Sequence, residues 1–122
     1  MIDLAQFSGT EEYHKLSMFG KFVCTDGVKY LAEQAGAFWL IDAIASHQPK
    51  AMKNPRLRDF QLWFLKRGAG SACTLECWED TGAGETAKIV QRIPFTDFPF
   101  SEVGDELKLY LENGVLCLPS ER

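Results

Sequence analysis

Residues 25–47 decide the fold, and they read TDGVKYLAEQAGAFWLIDAIASH. Thr25 is suited to cap a helix, because its short side chain can accept a hydrogen bond from a free N–H group of the first turn. Beyond it, apolar residues recur at helical spacing, at Val28, Leu31 and Ala35. The stretch therefore predicts a helix that begins directly after Thr25.

Gly36 lies in the middle of this stretch and predicts a break between two helices. On one straight helix, at about 100° per residue, Leu40 and Ile44 fall nearly opposite the earlier apolar stripe. A single amphipathic helix satisfies both halves only if its second half is buried all round. Glycine readily adopts the left-handed conformation that ends a helix. We therefore expect a second helix over residues 37–47, which Pro49 ends.

The pattern changes after Pro49, where apolar residues begin to alternate with polar ones. Such alternation is typical of β-strands. The predicted strands are residues 60–65, 73–78, 88–93, 107–112 and 115–118. Because the loops between them are mostly short, neighbouring strands should be antiparallel. The sequence thus predicts an α+β fold, with two N-terminal helices packed on one face of an antiparallel meander of about five strands.

The connections between the strands are predicted from their glycine, asparagine and phenylalanine content. The glycine-rich residues 68–71 and 81–85 are interpreted as turns. The dipeptide Asn113-Gly114 predicts a type I′ hairpin turn, because both residues tolerate the positive φ that this turn requires. Residues 94–104 are expected to be irregular, with three aromatic side chains packed beneath the sheet edge: Phe95, Phe98 and Phe100.

The composition is that of one ordinary globular domain, to which we assign residues 1–122. Of these 122 residues, 46% are hydrophobic and 25% are charged, which is enough material for a core. The net charge of −4 makes nucleic acid an unlikely partner, since phosphate contacts need clustered cations. The one basic concentration, within residues 50–58, leaves nucleic-acid binding as a third possibility.

The beginning of the chain does not resemble a secretory signal, because residues 1–4 are followed by polar residues rather than by an apolar core. The longest apolar run, residues 35–45, contains Asp42 and is too short to span a bilayer. We therefore expect a cytoplasmic protein without membrane association.

The cysteines are interpreted as buried thiols, because each has apolar or strand-forming neighbours. They are Cys24, Cys73, Cys77 and Cys117. On a strand, Cys73 and Cys77 would lie about 13 Å apart, which is too far for one zinc ion with Zn–S bonds near ~2.3 Å. The glycine-rich turns lack the continuation of a phosphate-binding loop. We therefore expect no metal and no cofactor.

The strongest candidate site surrounds Asp42, the only charged residue within residues 37–45. If the helix breaks at Gly36, Asp42 shares a polar face with Ser46, and Trp39 lies beside them. If the helix is continuous, Asp42 lies on a buried stripe and must be paired, which would indicate a functional pocket. The candidate binding residues are Trp39, Asp42, Ser46 and His47.

Three segments together suggest a relationship: residues 25–47, residues 4–10 (LAQFSGT) and residues 60–63 (FQLW). They resemble a family of small uncharacterised bacterial proteins, similar to members carried on plasmids, phages and other mobile elements. The resemblance implies a domain of unknown function with an accessory or host-interaction role. It provides no catalytic residue.

No recognisable catalytic constellation stands out, so the leading hypothesis is a non-catalytic interaction protein. Its partner would be another protein, or a second copy of the chain joined through a free strand edge. The alternative hypothesis is a small enzyme or ligand-binding domain with a pocket around Asp42 and His47. An exposed aromatic surface would favour the first hypothesis.

Overall fold

An α+β architecture with one six-stranded mixed sheet is seen in the computed structural model, which describes residues 2–17, 21–79 and 86–122. The strands are β1 (Val23–Cys24), β2 (Phe60–Arg67), β3 (Cys73–Trp78), β4 (Ile89–Ile93), β5 (Glu106–Glu112) and β6 (Val115–Cys117). The helices are α1 (Asp26–Ala35), α2 (Phe38–Ser46), α3 (Gln48–Ala51), α4 (Pro55–Asp59) and α5 (Phe100–Val103), and a 3-10 turn covers Pro119–Glu121. The turn predicted for residues 81–85 lies outside the described residues.

The helix break predicted at Gly36 is confirmed. Gly36 has φ 61° and ψ 39°, and its N–H donates to the carbonyl of Ala32, which ends α1. Thr25 caps the same helix by accepting the N–H of Val28, as predicted. The second helix ends at Ser46, close to the predicted residue 47, but Pro49 does not have the predicted role of stopping helical geometry. It lies in the first turn of α3, where its missing N–H leaves no hydrogen bond unmade.

The strand order β1-β6-β5-β2-β3-β4 corrects the predicted meander. Although β2, β3 and β4 are successive antiparallel neighbours, β5 pairs with the other side of β2. The sheet is mixed because β1 runs parallel to β6. The prediction failed after β4, since residues 94–105 contain α5 and form a crossing connection rather than a tight turn. The hairpin at Asn113 and Gly114 is confirmed by φ values of 53° and 77°.

One face of the sheet packs with α1 and α2 to form the main core. Leu31 and Ile44 from the helices join Trp63, Leu75 and Leu109 from the strands, and each is at most 2% exposed. The strand residues among them alternate with residues that face the other way, as half-buried strands require. Burial of each such side chain contributes about 1.5–3 kcal/mol.

The opposite face of the sheet carries aromatic rings that the chain's own cations cover. The guanidinium of Arg122 lies 4.9 Å from the ring centroid of Phe60 and 4.8 Å from that of Tyr110. The ammonium of Lys66 lies 5.1 Å from the ring centroid of Phe64. These long side chains cover apolar surface while their charges remain in water. The aromatic rings on this face are therefore covered by the chain's own side chains and do not form an exposed aromatic binding surface.

Candidate functional site

The outer side of β4, which we name the β4 edge, has no pairing partner among the described residues, because β4 pairs with β3 alone. The other edge of the sheet is partly covered. There His14 exchanges backbone hydrogen bonds of 2.8 and 2.7 Å with Cys24 of β1. Unpaired N–H and C=O groups along an edge are a template for a further strand. The β4 edge is thus the more open of the two.

The register of the sheet identifies the backbone groups that point outward from the β4 edge. In the β2–β3 hairpin, the N–H of Gly68 donates to the carbonyl of Ala72 at 2.9 Å. Along an antiparallel ladder, the backbone N–H and C=O groups of every second residue of β3 then point toward β2, and those of the residues between them point toward β4. Because Gln91 lies opposite Leu75 in the register of β3 with β4, the backbone groups of Gln91 form hydrogen bonds with β3. The N–H and C=O groups of Val90 and Arg92 therefore face away from the sheet.

A cavity of about 220 Å³ borders the β4 edge on the side that the helices cover. Its lining is mainly apolar, and its residues are Trp39, Ile93, Phe95, Thr96 and Asp97. Trp39 projects from α2 and is half-buried. The cavity can receive one apolar side chain from a segment lying along the β4 edge.

The prediction that Phe95 packs beneath the sheet is wrong, since its side chain is 73% exposed. Phe98 and Phe100 are buried as predicted, with ring centroids 4.9 Å apart, and they occupy the space under the sheet. Thr96 is held in place because its N–H donates to the carbonyl of Ser71 at 2.8 Å. Phe95, just before this anchor, projects outward. The exposure of Phe95 could not be predicted from the sequence, because Phe95, Phe98 and Phe100 have similar sequence surroundings and only the packing of the core distinguishes them.

A second, larger groove of about 570 Å³ lies along β4 on the opposite face of the sheet. Val90, which is 56% exposed, and Arg92 contribute to its lining together with Glu76, Gly68, Ala69 and Ala72. Glu76 is paired with Lys66 at 3.1 Å. Arg92 is exposed and makes no ion pair within the described residues. The β4 edge is therefore flanked by a cavity on one face and a groove on the other.

Two of the predicted binding residues lie beside β4. Trp39 lines the smaller cavity. His47 lies with its Nε2 atom 2.7 Å from Oε1 of Gln91 on β4, and its ring stacks on Trp63 with centroids 5.8 Å apart. Trp39 lies in the first turn of α2 and His47 is its C-cap, eight residues further on and about two turns along, so both lie on the same side of the helix. The structure thus brings both toward the same strand.

The other two predicted residues have separate surroundings. Asp42 is half-buried, and its Oδ1 accepts a hydrogen bond of 3.1 Å from the hydroxyl of Ser17. Ser46 is exposed and donates to the carbonyl of Ala43 at 2.6 Å. The four residues Trp39, Asp42, Ser46 and His47 therefore do not converge on one pocket.

A buried amide network supports this part of the core. The side chains of Gln48 and Gln61 exchange hydrogen bonds of 2.9 and 2.8 Å. Trp63 donates its indole N–H to Oε1 of Gln61 at 2.8 Å. Both glutamines are at most 3% exposed, so these bonds offset the cost of burying polar groups. The network positions Trp63 beneath His47.

Among the described residues, one group of side chains with metal-ligating atoms lies outside this region. Ligand atoms of Glu12, His14 and Asp26 lie within 4.8 Å of one another, although the sequence led us to expect no metal. His14 Nε2 is 2.8 Å from Asp26 Oδ1, and this hydrogen bond is the main reason that the pKa of Asp26 is lowered. The other Asp26 oxygen accepts the N–H of Glu11. Because Asp26 begins α1, the helix dipole favours an anion there and disfavours a cation.

The prediction of buried cysteines is confirmed. Cys24, Cys73, Cys77 and Cys117 are all buried and free. Burial raises the pKa of Cys24 and of Cys77 to about 12, and that of Cys117 to about 11. At neutral pH these thiols are protonated, which makes them poor nucleophiles.

The fold and the β4 edge together define a small α+β protein whose described residues leave one sheet edge unpaired between two clefts. Among the helices that the structure describes, none has the length and apolar character needed to cross a membrane. The model of the family of unknown function DUF6876 matches residues 2–122, and the chain belongs to that family. No curated protein and no solved structure matches the chain.

Proposed function

We propose that this protein is a non-catalytic binding protein that receives an extended segment of a partner protein on its β4 edge. The observation that carries the proposal is the outward orientation of the N–H and C=O groups of Val90 and Arg92, on a strand whose outer side no described segment of the chain covers. Strand addition uses such backbone groups for affinity and adjacent pockets for specificity. Consistent with the resemblance of the sequence, we further propose an accessory role for a bacterial mobile element, in the cytoplasm.

The composition of β4 supports this role. Its sequence is IVQRI, with no proline and a single charged residue. Sheet edges are commonly protected from further pairing by proline, inward-pointing charges or covering segments. The β1 edge has a covering segment around His14, whereas within the described chain the β4 edge has none. An edge strand without proline and without a covering segment among the described residues is suited to binding another strand.

The two clefts beside β4 also support strand addition. Successive side chains of an added strand point to opposite faces of the sheet. One set would enter the cavity beside Trp39 and Phe95, and the other would enter the groove beside Val90 and Arg92. Exposed aromatic side chains such as Phe95 are common anchors in protein interfaces.

The enzyme hypothesis has less support. Asp42 and His47 would have to act on one bound molecule, but Asp42 is held by Ser17 and His47 is held by Gln91. Five residues apart on α2, their side chains point in different directions. A role in binding therefore explains the positions of the α2 side chains better than a catalytic role does.

A selection of random peptides displayed on phage tests the proposal. Peptides enriched on the purified protein are resynthesised and measured by fluorescence anisotropy against wild type, Val90→Thr and Val90→Pro. Val90→Thr keeps the outward N–H, so affinity should stay near that of wild type. Val90→Pro removes it without breaking the ladder to β3, and affinity should fall about tenfold.

A peptide-side control keeps the test valid if Val90→Pro proves unstable. The same peptides are N-methylated at alternate backbone positions, which removes their own strand-pairing donors while leaving the protein unchanged. One of the two methylation patterns should abolish binding and the other should preserve it. The proposal is overturned if no peptide is enriched, or if both patterns bind as well as the parent peptide.

A further inference from the structure

Resting on the proposed strand addition, we infer that the partner segment carries an acidic residue next to an apolar residue. In an antiparallel pair, residues directly opposite each other project to the same face of the sheet. The partner residue opposite Arg92 therefore lies in the larger groove, beside the guanidinium. Its neighbour, opposite Ile93, lies on the other face, beside the cavity that Trp39 and Phe95 line.

Charge decides the chemistry on the groove side. Arg92 is exposed and has no ion pair within the described chain, and the exposed Lys88 lies one residue before β4. The acidic group in the groove, Glu76, is already neutralised by Lys66. The chain as a whole has a net charge of −4. A local excess of cations on an acidic protein attracts an anionic side chain here while the remaining surface repels it.

Shape and polarity decide the chemistry on the other side. Trp39, Ile93 and Phe95 give the cavity an apolar wall, and its volume of about 220 Å³ suits a large aliphatic or aromatic side chain. Asp97 also lines the cavity and is exposed, so it can accept a hydrogen bond from a phenol or an indole N–H. An aromatic residue is the better fit.

The same charges disfavour a second copy of the chain as the occupant. Antiparallel pairing of two β4 strands centred on Gln91 would place both Arg92 side chains on one face, within reach of each other. In this register the two Arg92 residues are diagonal neighbours, about 7–8 Å apart, and like charges at that separation repel each other. The partner is therefore a different protein that offers an acidic, partly apolar extended segment.

Three synthetic peptides test the inference. Each has eight residues of alternating threonine and valine, with the central pair replaced by Phe-Glu, Phe-Lys or Ser-Glu, because in an antiparallel pair the residue opposite Ile93 precedes the residue opposite Arg92. Affinities for the wild-type protein are measured by fluorescence anisotropy at about 0.05 M and at about 0.5 M salt. This tenfold range of ionic strength changes the Debye length about threefold. The Phe-Glu peptide should bind about fivefold more tightly than either of the others. The preference for glutamate over lysine should shrink at high salt.

The variant Arg92→Glu provides the decisive comparison, because it should reverse the preference and favour the Phe-Lys peptide. Equal binding of the glutamate and lysine peptides to wild type, with binding lost in Val90→Pro, would overturn the inference and leave the proposed function intact. Absence of binding by all three peptides, together with a failed phage selection, would overturn both. A preference for glutamate that Arg92→Glu leaves unchanged would also refute the inference.

Discussion

Gly27 in the first turn of α1 is hydrogen-bonded to Glu121 in the 3-10 turn of residues Pro119–Glu121. The N–H of Gly27 in the first turn of α1 donates to Oε2 of Glu121 at 3.0 Å. The other oxygen of Glu121 accepts hydrogen bonds from the hydroxyl of Thr25 at 2.5 Å and from the N–H of Leu118 at 3.1 Å. A carboxylate at this position complements the positive end of the helix dipole. The C-terminal turn therefore serves as a cap for α1.

Gly27→Ala should destabilise the protein by about 1–3 kcal/mol. An added Cβ would lie 2.5 Å from Glu121 Oε1 and 2.6 Å from Leu118 Cδ1. Relief requires either moving Glu121 away from its hydrogen bonds or displacing Leu118 from the core. Urea unfolding measures the loss. Gly9→Ala is the matched control, because nothing lies within 4 Å of its Cβ. Equal stability of both variants would show that the C-terminal turn does not cap α1.

Gly36→Ala should cost about 1–2 kcal/mol, for a different reason. The site is open, with no atom near the new Cβ, but its φ of +61° is unfavourable for residues with a side chain. Gly36→Asn should cost less, since asparagine tolerates this conformation better. Thermal and urea unfolding give the order of stability. A Gly36→Ala protein as stable as wild type would mean that the break between α1 and α2 does not need a left-handed residue.

Gln61→Leu should destabilise the core by about 1–3 kcal/mol, although leucine is similar in size. The change leaves the indole N–H of Trp63 and the amide of Gln48 without their partner. Gln34→Leu, at an exposed position of α1, should change the free energy of unfolding by less than about 0.5 kcal/mol. If both substitutions behave alike in urea, the amide network contributes nothing to stability.

Stability should fall as the pH rises above about 9, in part because of Cys77. Burial raises the pKa of this thiol from 9.0 to about 12 in the folded protein. Between these values the unfolded chain loses a proton that the folded chain keeps, so alkali favours unfolding. Each such thiol contributes up to about 1.4 kcal/mol per pH unit.

The comparison that isolates Cys77 uses urea unfolding at pH 8, 9 and 10 for wild type and Cys77→Ala. The variant starts from lower stability, because a buried side chain is shortened, but it should lose less on going from pH 8 to pH 10. Parallel pH curves for the two proteins would argue against a buried neutral thiol at this position.

Several elements were predictable because their cause lies within a few residues. Thr25 and Gly36 start and end α1 through their own capping and backbone properties, and Asn113-Gly114 forms its turn because both residues accept positive φ. The strands follow from alternation of apolar side chains. Pro49 was misjudged, since the same residue that disfavours a continuing helix is well suited to the first turn of a new one.

The candidate site was predictable only in part. Trp39 and His47 were identified from the composition of α2, and both lie beside β4. Val90, Arg92 and Phe95 were not identified, because nothing in their local sequence marks a strand as an edge. Phe95 resembles Phe98 and Phe100 in sequence, and competition for space under the sheet leaves it outside.

The local sequence pattern was sufficient to predict the α+β class, the two helices joined at Gly36, most of the strands and the burial of the cysteines. Each of these features depends on backbone preference or side-chain hydrophobicity over a short span of residues. Tertiary structure alone decided that β5 pairs beside β2, that β1 is parallel to β6, and that β4 has no outer pairing partner in the part of the chain that the structure describes. Strand order depends on which distant segments bury their surfaces together. That long-range choice places Val90 and Arg92 where a partner can reach them.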